Sequence, residues 1–311
     1  MSNEILAASV IVPTRNRAES LARLLPMLAE QTLDQPYEVI VVDNSSTDET
    51  PAVIKAASER WPHVRSIREA KPWPARNSGA QAARSPLLIF VDDDMQTDGN
   101  FISEHLRLHR ESPGVVVLGN IISATGRRPF DRMMAYIYDG PRQTLAHREP
   151  TATDFWSGNV SMSRDLYFKI GGYSDEMSDL SCQDMEFGLR LVAAGVPMLF
   201  APQALTYHHF NGESFPGRLK RSYVAGVGAA FLRERYAEFQ ADGKPLTHSS
   251  WRAHVVELSC RMFARVIEPF DRGQGVPNKL LAFVYDLGLR TAIGRGMIES
   301  LQGKKMRHEQ G

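Results

Sequence analysis

Cysteine is nearly absent from this chain. Cys182 and Cys260 are the two in 311 residues. Two thiols cannot build a disulfide framework, and neither stands in the spacing of a metal knuckle, so a reducing, cytoplasmic setting is expected. Long apolar runs are missing as well. No window holds the uninterrupted apolar stretch that a membrane-spanning helix needs. Met1 to Ala8 lacks the basic-then-apolar order of a signal peptide. No G-x-G-x-x-G follows the first apolar run, which argues against a dinucleotide-binding oxidoreductase. The glycine-rich basic loop that would grip a triphosphate is replaced by Thr14-Arg15-Asn16-Arg17, so a nucleotidyltransferase of sugar phosphates ranks as an alternative. Internal repeats and low-complexity tracts are absent, and no nucleic-acid partner is expected.

What is present describes a folded protein. Hydrophobic residues make up 43% of the chain and charged residues 23%, the balance of a globular protein with a sizeable core. The 36 basic and 36 acidic residues cancel, but not locally. From Ser214 to Gly311 there are 16 basic residues against 9 acidic (+7), leaving 20 against 27 (−7) in the first 213. An acidic half can hold a cation. A basic half can face phosphates, an anionic membrane surface or plain solvent.

Residues 8–13 are a short apolar run ending at a proline, which predicts a buried strand. Leu21, Leu24, Leu25 and Leu28 follow at helical spacing within 17–31. A second strand spans 37–42 and stops at Asp43. Ser46-Thr47-Asp48-Glu49 has helix-start chemistry and opens a helix toward Glu59. Val64 to Ile67 reads as a third strand. Pro74 opens a helix to about Ala83, and Leu87 to Val91 is a fourth strand that stops at Asp92-Asp93-Asp94. Strands alternating with helices predict an α/β fold with a doubly wound, mostly parallel sheet. Ligands of such sheets sit beyond the carboxyl ends of the strands. Asp43 and Asp92 both fall there, so two acidic positions should share one rim.

The middle of the chain is less regular. Val115–Leu118 and Phe155–Met162 read as strands, and 123–152 as loop and short helix. Gln183–Ala194 reads as a helix closed by Gly195, with short strands near 198–200 and 205–207. From Ser214 onward long helices take over. In one of them Trp251, Val255, Leu258, Met262 and Val266 share a face, and His254, Glu257, Arg261, Arg265 and Glu268 share the other.

Asp92-Asp93-Asp94 is the strongest local signal. Three adjacent like charges repel, and aspartate is a poor strand former. A buried strand that ends this way calls for a compensating cation. Residues i and i+2 of an extended chain point to one side, so Asp92 and Asp94 can serve one cluster while Asp93 points elsewhere. Hard Mg²⁺ or Mn²⁺ prefers carboxylate oxygens together with substrate phosphates.

Several motifs occur in a fitting order: Val12-Pro13-Thr14-Arg15-Asn16, Val41-Val42-Asp43-Asn44-Ser45-Ser46-Thr47-Asp48, Ala75-Arg76-Asn77-Ser78-Gly79 and Phe90-Val91-Asp92-Asp93-Asp94. Trp156-Ser157-Gly158-Asn159, Gly171-Gly172-Tyr173 and Gln183-Asp184-Met185-Glu186-Phe187 come after them. Over about residues 8–210 the chain resembles the inverting family 2 glycosyltransferases of GT-A fold. The resemblance implies a GT-A-type sheet with a C-terminal helical extension. It divides the chain into a catalytic domain at 1–213, with its donor half at about 1–98 and its acceptor half at about 99–213, and a helical region at 214–311.

The same resemblance implies roles. Pro13, Thr14 and Arg15 line the base and ribose pocket. Asp43 accepts a hydrogen bond from the nucleobase, which suits the imide of a UDP or dTDP sugar. Arg76 holds the nucleotide or its diphosphate, and Asp92 and Asp93 belong to the donor site. Asp94 carries the divalent metal, with His208, or alternatively His209, as a further ligand. Asp184 is the base that takes the acceptor hydroxyl's proton; Gln183 departs from the more usual acid beside it. Trp156, Gly158, Asn159 and Glu186 are the expected acceptor contacts, for a sugar, lipid-linked or small-molecule acceptor. A sugar-nucleotide-binding protein without activity remains the non-enzymatic alternative. Arg218, Lys220 and Arg221 cluster just after the histidines. For the basic C-terminal region two readings stay open: peripheral contact with the inner face of a membrane, or helices that pack on the domain or pair in a homodimer.

Overall fold

The computed structural model describes residues 5–69, 75–124, 126, 128–177, 180–209, 213–236, 250–271 and 279–301. The expected helix start at Pro74 lies outside the described residues. In chain order the elements are β1 (Ser9–Thr14), α1 (Ala18–Ala29), β2 (Glu38–Asp43), α2 (Thr50–Arg60), β3 (Val64–Arg68), α3 (Ala75–Ala82), β4 (Leu87–Val91) and β5 (Met95–Thr97). There follow α4 (Phe101–Glu111), β6 (Val116–Ser123), α5 (Pro129–Gln143), β7 (Asn159–Ser163), α6 (Arg164–Ile170), α7 (Gln183–Ala193), β8 (Met198–His208), α8 (Phe215–Arg235), α9 (Ser250–Ile267) and α10 (Lys279–Leu301). They form two compact units. One comprises Met1–Ala124, Tyr138–Ser178 and Asp184–Asn211; the other comprises Thr125–Ile137, Asp179–Gln183 and Gly212–Gly311.

The first unit is built on an eight-stranded sheet of order β3-β2-β1-β4-β7-β6-β8-β5. β1 to β4 run parallel, and so do β6 and β8. β7 is antiparallel to β4 and β6, and β5 to β8. The strand sequences explain the two-sided burial. Val10, Val12, Val39, Val41, Ile89 and Val91 face one core with Leu21, Leu24, Leu28 and Phe101 of α1 and α4. The alternate residues Ile11, Ile40, Val42, Leu88 and Phe90 face the other core with Ala75, Ala80, Tyr167, Phe187 and Leu191 of α3, α6 and α7. A strand clothed on both faces has no polar side to show, which is why β1, β2 and β4 read as continuous apolar runs.

The structure departs from the sequence reading in the middle of the chain. β5, α4 and α6 were not expected, and α5 is a fifteen-residue helix where loop and short helix were expected. The strand expected from Phe155 begins at Asn159. The two short strands expected near 198 and 205 are one, β8. Its register against β6 jumps between Gly119 and Asn120, opposite Ala201 and Leu205. Pro202, which has no N–H to give the ladder, stands in that irregularity, and it broke the apolar alternation in sequence. The helix closed by Gly195 is present, with φ +66 at that glycine.

The second unit is helical. α8 and α10 approach until their backbones touch. A Cβ on Gly226 would stand 2.0 Å from the Ile293 carbonyl oxygen, and one on Gly296 would stand 2.0 Å from that of Tyr223. Glycine is required at both positions. Phe130, Phe215 and Tyr285 pack ring to ring beside them. In α9 the apolar stripe is not the face that packs inward. The inward residues are Ala253, Glu257, Cys260 and Ala264. Glu257 is 2% exposed and takes two hydrogen bonds from Arg295, at 2.7 and 3.1 Å. Arg218 and Arg221, two of the three basic residues clustered after the histidines, are ion-paired to Glu213 at 3.7 and 3.1 Å. Among the described residues no helix is long and apolar enough to cross a membrane.

Candidate functional site

The carboxyl ends of β1 and β4 and the start of α3 enclose a cleft of about 320 Å³. It is lined by Pro13, Thr14, Arg15, Arg17, Asn44, Ala75, Arg76, Asp92, Asp93 and Asp94. Seven of the residues singled out in the sequence meet here. Arg17 and Asn44 were missed. Both lie in the β1–α1 and β2–α2 loops, and those loops are laced to each other. Asn16 accepts from the Thr47 N–H at 2.8 Å, the Asn16 N–H donates to the Ser46 hydroxyl, and the Arg17 N–H to that of Thr50. Asn16 and Ser45 both sit at φ 53, the left-handed region that non-glycine residues seldom occupy.

The three adjacent aspartates have three different partners. Asp92 is bonded to Arg76 of α3. Asp93 turns inward, 9% exposed, and accepts from the Thr14 hydroxyl at 2.7 Å. Burial pushes its carboxyl up to about 7 against the pull of that hydroxyl, with Asp94 and Asp92 adding to the rise. Asp94 faces His208 of β8, whose Nε2 is 3.6 Å from Oδ1. Burial would raise Asp94 too, but His208 and Arg17 outweigh it and hold the carboxyl below its usual range. Burial raises Asp92, with Asp94 and Asp184 reinforcing it and Arg76 opposing. The cluster is therefore short of positive charge. Arg76 stays cationic: burial works against it, and the charges of Asp92 and Asp184 prevail. Its Nε is buried with no hydrogen-bond partner among the described residues.

The β5–β8 pairing settles which histidine meets Asp94. Met95 stands opposite His208, and the His209 N–H donates to the Asp94 carbonyl at 3.0 Å. The His208 ring thereby comes beside the Asp94 carboxylate. Among the described residues no three His, Cys, Asp or Glu side chains converge as a metal cage. Asp94 and His208 do fit a divalent cation. Two ligands each about 2.1 Å from one ion stand roughly 3–4 Å apart. The spacing is too long for a hydrogen bond, and both side chains are partly open, at 19% and 25%. The remaining coordination positions would fall to substrate oxygens and water.

Asp184 lies in the first turn of α7, where the helix dipole favours a carboxylate. The Ser157 N–H donates to Oδ2 and the Tyr173 hydroxyl to Oδ1, each at 3.0 Å. A chain of contacts fixes Tyr173. Gly171 and Gly172, at φ +96 and +64, turn the backbone as no other residue would tolerate. Asn77 of α3 grips the turn from one side, donating to the Tyr173 carbonyl and accepting from its N–H, both at 2.9 Å. Arg190 grips it from the other, donating to the Ile170 and Gly172 carbonyls at 2.6 and 2.7 Å.

Two expected acceptor contacts have structural roles instead. Glu186 is 4% exposed, spent in a two-pronged ion pair that aims Arg190. Asn159 is 1% exposed. It accepts from His105 at 2.9 Å and donates to the Ala204 carbonyl, the Thr206 hydroxyl and the Asn120 carbonyl. Its amide ties α4 to β6 and β8 beneath the sheet. Gly158 touches the site by closeness: a Cβ there would lie 3.0 Å from Asp92 Oδ2. Trp156 is half-buried, with the Arg142 guanidinium 3.7 Å from the centre of its ring and Tyr138 edge-on. Burial lowers Arg142 to about 9, with Asp139, Asp154 and Asp184 opposing. Asp43 is 5% exposed and lines a neighbouring cavity of about 430 Å³ with Lys55 and Arg68. Its Oδ1 accepts from the Ser46 N–H at 2.9 Å, so one oxygen is used by the turn.

The family model for glycosyl transferase family 2 matches residues 9–171. Validoxylamine A glucosyltransferase of Streptomyces hygroscopicus subsp. jinggangensis is 30% identical over 220 residues, 61% of this chain and 52% of that protein. Glycosyltransferase AglE of Haloferax volcanii is 23% identical over 235 residues, 73% of this chain and 74% of its own. The chain spans about half the length of the glucosyltransferases it matches at 30% identity. Among solved structures, mannosyltransferase PcManGT from Pyrobaculum calidifontis, in complex with GDP-Man and Mn²⁺, aligns over 97% of this chain and 89% of its own. The TM-score is 0.62 at 19% identity. Staphylococcus aureus TarS 1–349 in complex with UDP aligns over 97% and 93%, with TM-score 0.53 and 18% identity. At those identities the structural likeness is one of fold.

Proposed function

The chain belongs to glycosyl transferase family 2, and from that premise we propose that it moves a sugar from a nucleoside-diphosphate sugar to an acceptor hydroxyl with inversion. The observation that carries this reading is the convergence of Asp94–His208, Arg76 and Asp184. Asp184 lies close enough for its charge to act on both Arg76 and Asp92.

Pro13, Thr14, Arg15 and Asn44 line the part of the cleft suited to a nucleoside. Arg76 carries a buried Nε–H without a partner among the described residues, beside an acidic rim, so it is the group to meet the diphosphate. Asp94 and His208 would hold a divalent metal there, which supplies positive charge to the departing diphosphate. The ligands of the two structural neighbours, GDP-Man with Mn²⁺ and UDP, agree with that chemistry. Asp43 keeps one carboxylate oxygen for a base N–H, which favours a UDP- or dTDP-type donor. Asp184, oriented by Tyr173 and the Ser157 N–H, takes the proton as the acceptor oxygen bonds to the anomeric carbon. The bond from that carbon to the diphosphate oxygen breaks, and the sugar's configuration inverts. Gly158 and Trp156 border the acceptor side.

The test is release of nucleoside diphosphate from a panel of nucleotide sugars, with Mn²⁺ or with EDTA. Slow metal-dependent hydrolysis of one or two donors is expected even without acceptor. A chain that binds no nucleotide sugar under either condition overturns the reading.

A further inference from the structure

α9 is apolar on the wrong side. Trp251, Val255, Leu258, Met262 and Val266 recur at spacings of four, three, four and four, which is one stripe along a helix. They are 67, 52, 52, 62 and 64% exposed. Phe263 and, in the turn after the helix, Phe270 extend the surface at 60 and 78%. The stripe faces away from Ala253, Glu257, Cys260 and Ala264, which fill the interior. The surface runs for about 29 Å along the helix. Scattered exposed hydrophobic residues are ordinary, but a continuous stripe is a docking surface.

The charges beside it have one sign. Arg261 and Arg265 border the stripe on one side and Arg252 on the other, and none makes an ion pair among the described residues. The acids of the same segment are engaged elsewhere. Glu257 is buried with Arg295, Asp271 is 4% exposed against Arg132, and Glu268 takes the Tyr285 hydroxyl. A two-fold dimer would lay this patch on itself. Arginine would then face arginine, with the acids of this segment among the described residues already engaged.

We propose that the exposed face of α9 docks on an anionic lipid surface, with the stripe from Trp251 to Phe270 entering the interface and Arg252 and Arg265 meeting lipid phosphates. An apolar stripe bordered by arginine is the form that lies in the plane of a bilayer interface rather than crossing it. Each arginine strengthens attachment to an anionic leaflet, and salt weakens it.

The experiment is co-sedimentation of the full chain with phosphatidylcholine vesicles, with and without phosphatidylglycerol, at low and high salt. Binding is expected to the phosphatidylglycerol vesicles at low salt, with a blue shift of tryptophan emission that is absent in Trp251→Phe. Leu258→Glu with Met262→Glu should weaken partitioning by roughly tenfold or more. Arg252→Gln with Arg265→Gln should remove the preference for phosphatidylglycerol. These side chains are exposed, so thermal melts should match the wild type. Equal binding to both vesicle types, or none to either, overturns the proposal. So does a concentration-dependent dimer in sedimentation velocity that the two glutamates abolish while vesicles have no effect; the face would then be a contact between two copies.

Discussion

Nε2 of His208 stands 3.6 Å from Oδ1 of Asp94, and the two are brought together by a three-residue strand, β5, pairing antiparallel with the end of β8. A carboxylate and an imidazole at that spacing, partly open at the mouth of an acid-rich cleft, are placed so that one divalent cation could take both as ligands.

Asp94→Asn and His208→Ala should each lower UDP affinity in Mn²⁺ by tenfold or more, and leave the weak affinity in EDTA unchanged. The double variant should lose little more than either single one, because both residues act through one ion. Calorimetry with and without metal reads this directly. Equal nucleotide affinity in wild type and variants would remove the metal assignment.

Asp184→Asn should keep donor affinity and lose transfer by roughly 10²–10⁴-fold, since a general base is removed while the hydrogen bonds from Tyr173 and Ser157 retain an oxygen acceptor. Tyr173→Phe should reduce turnover by less, as it frees the carboxylate without deleting it. Initial rates over a donor series separate kcat from KM. A fully active Asp184→Asn enzyme would rule the base out.

Asp93 should make stability pH-dependent. Its carboxyl is raised in the fold from 3.8 to about 7, so the folded chain holds a proton that the unfolded chain has released. Its stabilising contribution is complete below pH 4, falls as pH rises to about 7, and is then lost. A rise of that size limits the contribution to about 4 kcal/mol. Asp93→Asn keeps an acceptor for Thr14 and has no proton to lose. In EDTA, the drop in melting temperature from pH 5 to pH 8 should be smaller in the variant than in the wild type. An equal drop would show that Asp93 is already ionised at pH 5.

Asn159→Ala should damage the fold and spare the acceptor site. It strands the His105 ring and the Ala204 carbonyl in the interior, a loss of about 2–3 kcal/mol. Denaturant midpoints should fall by that amount while acceptor KM in the folded fraction stays unchanged. A raised acceptor KM with unaltered stability would restore Asn159 to the acceptor surface.

Much of the donor half could be read from the chain itself. β1, β2 and β4 are apolar runs that stop at polar residues, and a parallel sheet must place those stops on one rim. Pro13, Thr14, Arg15, Arg76 and the three aspartates therefore meet as the sequence order implies. What each aspartate does was decided in three dimensions. Identical neighbours at one strand end received a guanidinium, a threonine hydroxyl and an imidazole because the turn after β4 points them three ways. Asn159 and Glu186 carry motif-like sequence but lie beneath the surface, and sequence does not record depth. The exposure of α9 was equally invisible. Its apolar face has the spacing of a core face, but the neighbouring helices use the opposite side, where Arg295 neutralises Glu257. Helical periodicity tells which residues share a face; which face turns inward depends on the partners that tertiary packing supplies.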